Sequence, residues 1–281
     1  MTSLTEDNSI LSYELLAAYS DIFCFTTTRQ GGFSTDAYAS FNCSPFCGDK
    51  VDNVFRNQEK LCSALPQRPR QLIIPFQTHN TEVRIIDKAF VSASSQEQDK
   101  LLTGIDALIT CEPGYCLCIS TADCVPLLLY DARNKVIAAV HAGWRGTVNR
   151  IVQHTLNVMK QAFGTCGNDV SACIGPSISL QSFEVGEEVY RTFDWAGFDM
   201  QRISLWNEVE RKYHIDLPEA NRLQLVSFDV PDKQIEVAGI CTYIRHDEFF
   251  SARRLGIKSG RILSGIMLCA TKLCGEKAVT V

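Results

Sequence analysis

Short apolar runs alternate with polar breaks along the whole chain. Segments rich in Ile, Val and Leu recur at residues 22–27, 72–76, 83–87, 107–110, 116–120, 125–130, 136–140, 170–174, 235–240 and 262–270, each of strand length. A different period appears where Val148, Ile151, Val152, Leu156, Met159 and Phe163 fall three or four apart. That spacing predicts an amphipathic helix starting near Thr147 and ending at Gly164. It also predicts helices over residues 51–65, 182–193 and 217–228. Between residues 107 and 140 the strands follow one another with no helix between them, which favours antiparallel or mixed pairing over an alternating parallel sheet. The expected class is α+β, with mixed sheets flanked by helices. Polar stretches at residues 67–70 and 88–103 read as surface loops, and neither divides two segments with cores of their own. A single domain spanning residues 1–281 is expected.

Composition narrows the function classes. With 46% hydrophobic and 21% charged residues, the 281-residue chain has the make-up of an ordinary globular protein, neither disordered nor fibrous. Its 32 acidic against 27 basic side chains, a formal charge of −5, argue against a sequence-independent face for duplex nucleic acid, while leaving room for a local basic pocket. No apolar run approaches the ~18 residues of a bilayer span, and the opening Met-Thr-Ser-Leu-Thr-Glu-Asp lacks the basic start and apolar stretch of a secretory signal. A cytoplasmic protein with neither nucleic-acid nor membrane partner is therefore expected. Its thirteen cysteines are odd in number and irregularly spaced, so most read as small buried apolar residues rather than as a disulfide framework. Neither Cys43 with Cys47 nor Cys116 with Cys118 forms a CxxC pair, which argues against a structural zinc finger.

Histidine is scarce, five in all, and two of the five stand at strand ends. His79 closes Leu-Ile-Ile-Pro-Phe-Gln-Thr-His, and His141 opens His-Ala-Gly-Trp-Arg-Gly directly after the strand at 136–140. Cys124, in Thr-Ala-Asp-Cys-Val-Pro, lies at the junction of two further strands. Two imidazoles and a thiolate suit a borderline-soft divalent ion, most naturally zinc, and three protein ligands leave one tetrahedral position for water or substrate. The same residues read equally well as two hydrogen-bonded core imidazoles and a buried thiol. After His141, Gly143 and Gly146 permit close backbone approach, Arg145 offers a planar fork for an oxyanion, and a helix N-terminus follows. The Gly-x-x-x-x-Gly-Lys of a P-loop is absent, and glycines at such a junction also serve packing alone.

Taken together, these motifs resemble the YfiH-type family, known as multicopper polyphenol oxidase or laccase-domain proteins, as purine nucleoside phosphorylases and as peptidoglycan editing factors. The resemblance runs through almost the whole chain: Thr28-Arg29-Gln30-Gly31-Gly32-Phe33-Ser34, Asn42 with Gly48-Asp49, Gln77-Thr78-His79, Asp106-Ala107-Leu108-Ile109-Thr110, Ala122-Asp123-Cys124-Val125-Pro126, His141-Ala142-Gly143-Trp144-Arg145-Gly146, Gly175-Pro176, Phe183-Glu184-Val185-Gly186, Cys241-Thr242 and Phe250-Ser251-Ala252-Arg253-Arg254. It implies zinc ligands at His79, Cys124 and His141, and an α+β fold shared with a group of cysteine hydrolases in which a Cys and a His act together. It further implies zinc-dependent phosphorolysis of adenosine, inosine, guanosine and methylthioadenosine, and deamination of adenosine, so the implied partners are a purine nucleoside and phosphate. A monomer or homodimer is expected. The chain departs from the family pattern at Thr78 and Asn80 beside His79, at Ala252 in place of an aromatic residue, and at Phe46 where many members have histidine.

By type and position, Cys124, His141 and Arg145 are the expected catalytic residues. Arg145 and Arg29 are assigned to phosphate or ribose, Gln77 and Asp123 to polar recognition, and Ser251 with Arg253 to the pocket rim. For an arginine the competing role is a surface ion pair, and for Asp123 a turn or helix cap. The laccase label meets a shortage of ligands: a trinuclear copper cluster with a blue-copper centre takes roughly ten histidines, many in His-x-His pairs, and this chain has five, none so paired. Added copper in vitro can still occupy a His₂Cys site. Two readings stand beside the nucleoside enzyme: an amidase editing peptidoglycan precursors, through metal-activated water or a Cys124–His141 pair, and a non-catalytic metal-binding protein.

Overall fold

The strand Val125–Asp131 is apolar at nearly every position because both of its faces are covered. Leu127 and Leu129 point into a core shared with Ile151, Val152, Leu156 and Met159 of the helix Ile151–Phe163. Leu128 and Tyr130 point the other way, into a core with Leu117, Ile119 and Ile266 of a second sheet. Each leucine so buried contributes about 1.5–3 kcal/mol relative to exposure. The outer face of that second sheet buries Phe25, Cys116, Cys118 and Met267 together with Leu61 of the helix Val51–Ala64. The layers therefore run helix, sheet, sheet, helix. The computed structural model describes residues 1–269.

Both large sheets have six strands and mixed pairing. One has the order Thr2–Ser3, Ile10–Ser12, Ile22–Thr27, Ile262–Leu268, Tyr115–Thr121, Gln71–Ile73, antiparallel except for its last pair. The other has the order Ile235–Val237, Val170–Ile174, Val125–Asp131, Val136–Ala142, Ala107–Thr110, Val83–Ile85, antiparallel inside and parallel at both edges. A three-stranded sheet of Glu184–Val185, Lys212–Ile215 and Ser204–Asn207 packs at one end. The expected α+β class with mixed sheets stands.

Several expected elements differ. The helix expected from Thr147 is two, Trp144–Val148 and Ile151–Phe163, divided by Arg150 in the left-handed region at φ 64°. Arg150 is held there by stacking 3.6 Å over Phe198 and by donating to the Ala196 carbonyl at 2.8 Å. Residues 182–193 are helical only from Glu187, and the helix continues to Trp195; Glu184–Val185 is a strand paired with Lys212–Ile215. The stretch 88–103 holds two short helices, Lys88–Ser92 and Ser95–Leu101. Asp87 caps the first by accepting from Phe90 N–H, and Ser94 with Glu97 forms a capping box on the second. The strand expected at 72–76 leaves the sheet after Ile73, those at 83–87 and 235–240 end at Ile85 and Val237, and the end of the 262–270 run, Ala270, lies outside the described residues. Among the described residues no helix is long and apolar enough to cross a membrane.

Candidate metal centre and its cavity

Sheet register gathers the site. In the hairpin of Val125–Asp131 and Val136–Ala142, Val125 lies opposite Ala142 and Pro126 opposite His141, so Cys124 sits at the end of the ladder beside His141. On the other side of that strand Ala107 pairs with Val140, and the preceding Asp106 accepts the backbone N–H of His141 at 2.8 Å. The fully buried Asp106 carboxylate then collects four donors: the backbone N–H groups of Thr78 (3.2 Å), His79 (3.0 Å) and Asn80 (3.0 Å), and Nδ1 of His141 at 2.7 Å. These bonds fold residues 78–80 around it and hold His79 in the left-handed region at φ 63°, a conformation that costs a non-glycine residue about 1–2 kcal/mol.

One carboxylate thus orients the His141 imidazole and anchors the turn that carries His79. With Nδ1 of His141 engaged by Asp106, Nε2 is left to face Cys124. The ligand atoms of His79, Cys124 and His141 lie within 4.8 Å of one another, the two rings crossing at 77° with centroids 4.8 Å apart. A tetrahedral ion spaces nitrogen and sulfur donors about 3.5 Å apart, so small side-chain rotations close the trio around one. Gly143 leaves the room: a Cβ there would lie 2.9 Å from His79 Cδ2 and 3.1 Å from Cys124 Sγ. Among the described residues this is the one group of three or more His, Cys, Asp or Glu with metal-holding geometry. These three residues fit a metal, and the carboxylate behind His141 is the support that metal-bound histidines usually have.

Electrostatics agree with the donor set. Burial pushes the Cys124 thiol up, but the positive charge of His141 and hydrogen bonds from both histidines outweigh it and bring it down to about 6. For His141, burial opposes the charged ring; the Cys124 thiolate and the Asp106 carboxylate overcome that and raise it to about 9. Asp106 is also raised by burial, yet its bond and charge interaction with His141 and its backbone donors hold it below the ordinary carboxylate range. The pocket thus demands a positive charge beside the thiolate, which a proton or a divalent cation supplies.

The trio opens into a cavity of about 550 Å³, within the size range of small-molecule sites. Gln77 lines it with its amide bonded at both ends, donating to the Ser120 carbonyl at 2.9 Å and accepting from Ser120 N–H at 2.8 Å. Asp123 lines it too, at φ 85°, accepting from Thr242 Oγ1 (2.8 Å) and from the backbone N–H of Arg253 (2.6 Å). Arg253 reaches over Phe183 and donates to the Glu184 carbonyl. The structure does not bring the other three expected residues to the cavity wall. Arg29 ties loops together by donating to the carbonyls of Ala39 and His246. The exposed Arg145 stacks 4.4 Å over Trp144, and the buried Ser251 caps the short helix Ala252–Leu255 by accepting from Arg254 N–H. Of the remaining histidines, His154 faces solvent and His214 is buried in the three-stranded sheet.

The wall also holds residues that pattern reasoning passed over. Phe46 and Phe76, 48% and 44% exposed, form an edge-to-face pair at 5.3 Å, and Trp144 stands on the same wall. Arg261 lines the cavity, as do Ser120 and Thr121, whose hydroxyls are buried without a partner among the described residues. The signal for the aromatic pair was faint: Phe46 replaces a common histidine, and an exposed Phe beside a candidate ligand is unusual. For Arg261 no sequence signal existed.

Comparison with known proteins places these features in context. A family model described as multi-copper polyphenol oxidoreductase laccase matches residues 23–269. A purine nucleoside phosphorylase of Bacteroides thetaiotaomicron is 62% identical over 268 residues, covering 95% of this chain and 99% of that protein. Adenosine deaminase RL5, from an unknown prokaryotic organism, is 40% identical over 86% of this chain and 92% of its own length. Among solved structures, YlmD from Geobacillus stearothermophilus superposes with a TM-score of 0.82 at 29% identity, covering 90% of this chain and 93% of that one.

Proposed function

Since the chain belongs to the family described as multi-copper polyphenol oxidoreductase laccase, we propose that it is a zinc enzyme of purine nucleosides, cleaving them with phosphate and deaminating adenosine. The relatives named purine nucleoside phosphorylase and adenosine deaminase support this reading at 62% and 40% identity. The observation that carries it is the His79–Cys124–His141 trio on the wall of a cavity that also presents aromatic rings and cations. Zinc is the ion that two imidazole nitrogens and a thiolate favour. When bound, it supplies Lewis acidity and one open coordination position.

The rest of the work falls to side chains. Asp106 fixes the His141 tautomer, so that Nε2 presents a lone pair, and locks the turn that carries His79. Phe46, Phe76 and Trp144 give a purine apolar faces to rest on. Gln77 and Asp123, their own polar atoms engaged, keep the wall rigid. In phosphorolysis an oxygen of hydrogen phosphate bonds to the anomeric carbon, the bond to the base nitrogen breaks with its electron pair leaving on the base, and the proton ends on that nitrogen. In deamination water adds its oxygen at C6 of adenine and ammonia leaves. A multinuclear copper oxidation remains short of ligands, since all five histidines lie among the described residues and only two of them converge.

The test is incubation of metal-analysed protein with adenosine or inosine and phosphate, following adenine, hypoxanthine and inosine by chromatography. Zinc near one equivalent, with phosphate-dependent base release lost in Cys124→Ala and His141→Ala, is the expected result. Product persisting in both variants refutes the proposal. So does a silent wild type that instead cleaves a muramoyl-linked amino acid.

A further inference from the structure

The cavity wall carries two cations whose charge no carboxylate among the described residues meets. Several arginines are paired with an acid: Arg68 with Glu59, Arg133 with Asp169, Arg191 with Glu187, Arg202 and Arg222 with Glu219, and Arg245 with Glu248, whereas Arg29, Arg150 and Arg254, away from the cavity wall, meet neutral oxygens. Arg253 and Arg261 meet only neutral oxygens: Arg253 donates to the Glu184 carbonyl, and Arg261 donates through Nη1 to the carbonyls of Ser259 (2.6 Å) and Gly260 (3.0 Å) and through Nη2 to that of Ile257 (2.9 Å). Carbonyl contacts orient a guanidinium without cancelling its charge. Those three bonds also leave Arg261 its Nε–H and one Nη2–H, two of its five donors, without a partner among the described residues. Nε and the neighbouring Nη2 form one edge of the planar group, the edge that grips a tetrahedral or planar oxyanion with two parallel bonds.

The placement of both residues is set by the same strand end that carries a metal ligand. Ile262 lies opposite Thr121 in the antiparallel ladder, so Arg261 enters the cavity beside Ala122, two residues before Cys124. Arg253 is fastened to the same loop by its backbone N–H on Asp123 Oδ2. On the same cavity wall, the Thr121 hydroxyl is buried, 1% exposed as a residue, and has no hydrogen-bond partner among the described residues. Among the described residues Asp123 is the wall's one carboxylate, and its two oxygens accept from Thr242 and the Arg253 backbone. Fixed positive charge, unused donors and an orphaned hydroxyl thus line one cavity.

We propose that Arg261, with Arg253 and the Thr121 hydroxyl, forms the seat of inorganic phosphate, and that it, rather than Arg29 or Arg145, separates the phosphorolytic reaction from deamination. This rests on the nucleoside reading above, because only phosphorolysis consumes phosphate. Arg261 is a binding and orienting residue: it holds the nucleophile while the bond from phosphate oxygen to the anomeric carbon forms and the bond to the base breaks.

The test uses zinc-loaded protein in two measurements, calorimetric titration with inorganic phosphate and steady-state kinetics of inosine phosphorolysis beside adenosine deamination. Loss of two charge-assisted hydrogen bonds in Arg261→Met raises the phosphate Kd and KM about ten- to hundredfold, while the inosine KM moves less than about threefold. The ratio of phosphorolysis to deamination falls at least about tenfold, and Arg261→Lys, which keeps the charge, recovers part of it. Arg253→Met, which leaves the contacts of residues 257–260 intact, moves the phosphate constants in the same direction. Phosphate constants within about twofold of wild type in both Met variants overturn the proposal, as does a proportional fall of both reactions. If the wild type releases no base with phosphate yet binds phosphate in an Arg261-dependent way, the anion seat stands and the phosphorolysis reading fails.

Discussion

Replacing Asp106 by Asn tests whether one carboxylate governs the metal site. The side chain keeps its shape, but one of its two oxygens becomes an amide that donates. In the structure Oδ2 serves the N–H groups of Thr78 and Asn80, while Oδ1 serves the N–H of His79 and Nδ1 of His141. An asparagine oxygen placed in the Oδ2 position keeps the first two bonds and turns its NH₂ toward His141. Nδ1 then has to accept, the ring proton moves to Nε2, and the nitrogen that faces Cys124 loses its lone pair for a metal. The opposite flip keeps His141 in its working tautomer but points an NH₂ at two buried backbone N–H groups. Either way a charge-assisted bond worth about 1.5–3 kcal/mol is lost and a buried donor is left facing a donor. That corresponds to about ten- to hundredfold weaker zinc binding, the usual range for lost outer-shell support. Competition with a chromophoric chelator at pH 7.5 measures it, and activity at saturating zinc checks that the fold survives. Asp106→Asn protein that binds zinc within twofold of wild type and turns over adenosine normally would falsify the orienting role.

Other expectations follow from single contacts. Gly143→Ala is compatible with the local backbone, at φ −68° and ψ 169°, but its Cβ presses on both His79 and Cys124; zinc affinity should fall about tenfold while the unfolding midpoint moves little, and a variant with wild-type affinity refutes the close approach. Stripping the metal should lower the unfolding temperature and abolish base release, both restored by zinc; at free zinc a thousandfold above Kd the stabilisation is about 4 kcal/mol, and a midpoint indifferent to chelator contradicts a site built by tertiary structure. Phe76→Ala should raise the inosine KM about five- to tenfold with kcat nearly unchanged, as expected for loss of a stacking surface; an unchanged KM removes the aromatic pair from base recognition. Asn221→Ala removes a buried bond of 3.0 Å to Thr147 Oγ1, which ties the helix Leu217–Val226 to the one that follows His141. Its urea midpoint should report a loss of about 1–3 kcal/mol, and none at all would mean the bond is replaced by another.

The parts of the fold that were legible are those whose local pattern and tertiary setting agree. The strands at 125–131 and 136–142 are continuous apolar runs because two layers cover them, and nothing else in the chain competes with that pattern. Lys212–Ile215 was invisible for the opposite reason: Lys-Tyr-His-Ile carries too little apolar character, and its strand exists because Tyr213 packs on Tyr190 and Trp206. The break at Arg150 left no trace, since Val148 and Ile151 on either side of it face the same core and keep the helical spacing intact. What breaks the helix is a distant ring, Phe198. The two helices within 88–103 did have a local signature, the Ser94-x-x-Glu97 box, which polarity obscured.

At the site the division runs between chemistry and aim. His79, Cys124 and His141 could be picked from the sequence because ligand chemistry resides in residue type and strand ends are few; convergence then needed only that neighbouring strands pair. A cation is different. Arg29, Arg145, Arg253 and Arg261 are chemically identical, and which of them faces the cavity depends on pairings far apart in the chain, such as Ile262 opposite Thr121. Arg29 is drawn away by carbonyls of two loops and Arg145 by an indole, whereas Arg261 is turned inward by carbonyls of residues 257–260. In the motif His-Ala-Gly-Trp-Arg-Gly the histidine lies with His79 and Cys124 and the arginine does not reach the cavity wall: Gly143 leaves room for the close approach of His79 and Cys124, and Arg145, two residues further on, stacks on Trp144. A residue whose function lies in its chemistry can be read from a sequence alone, but one whose function lies in its direction becomes readable only once the register is known.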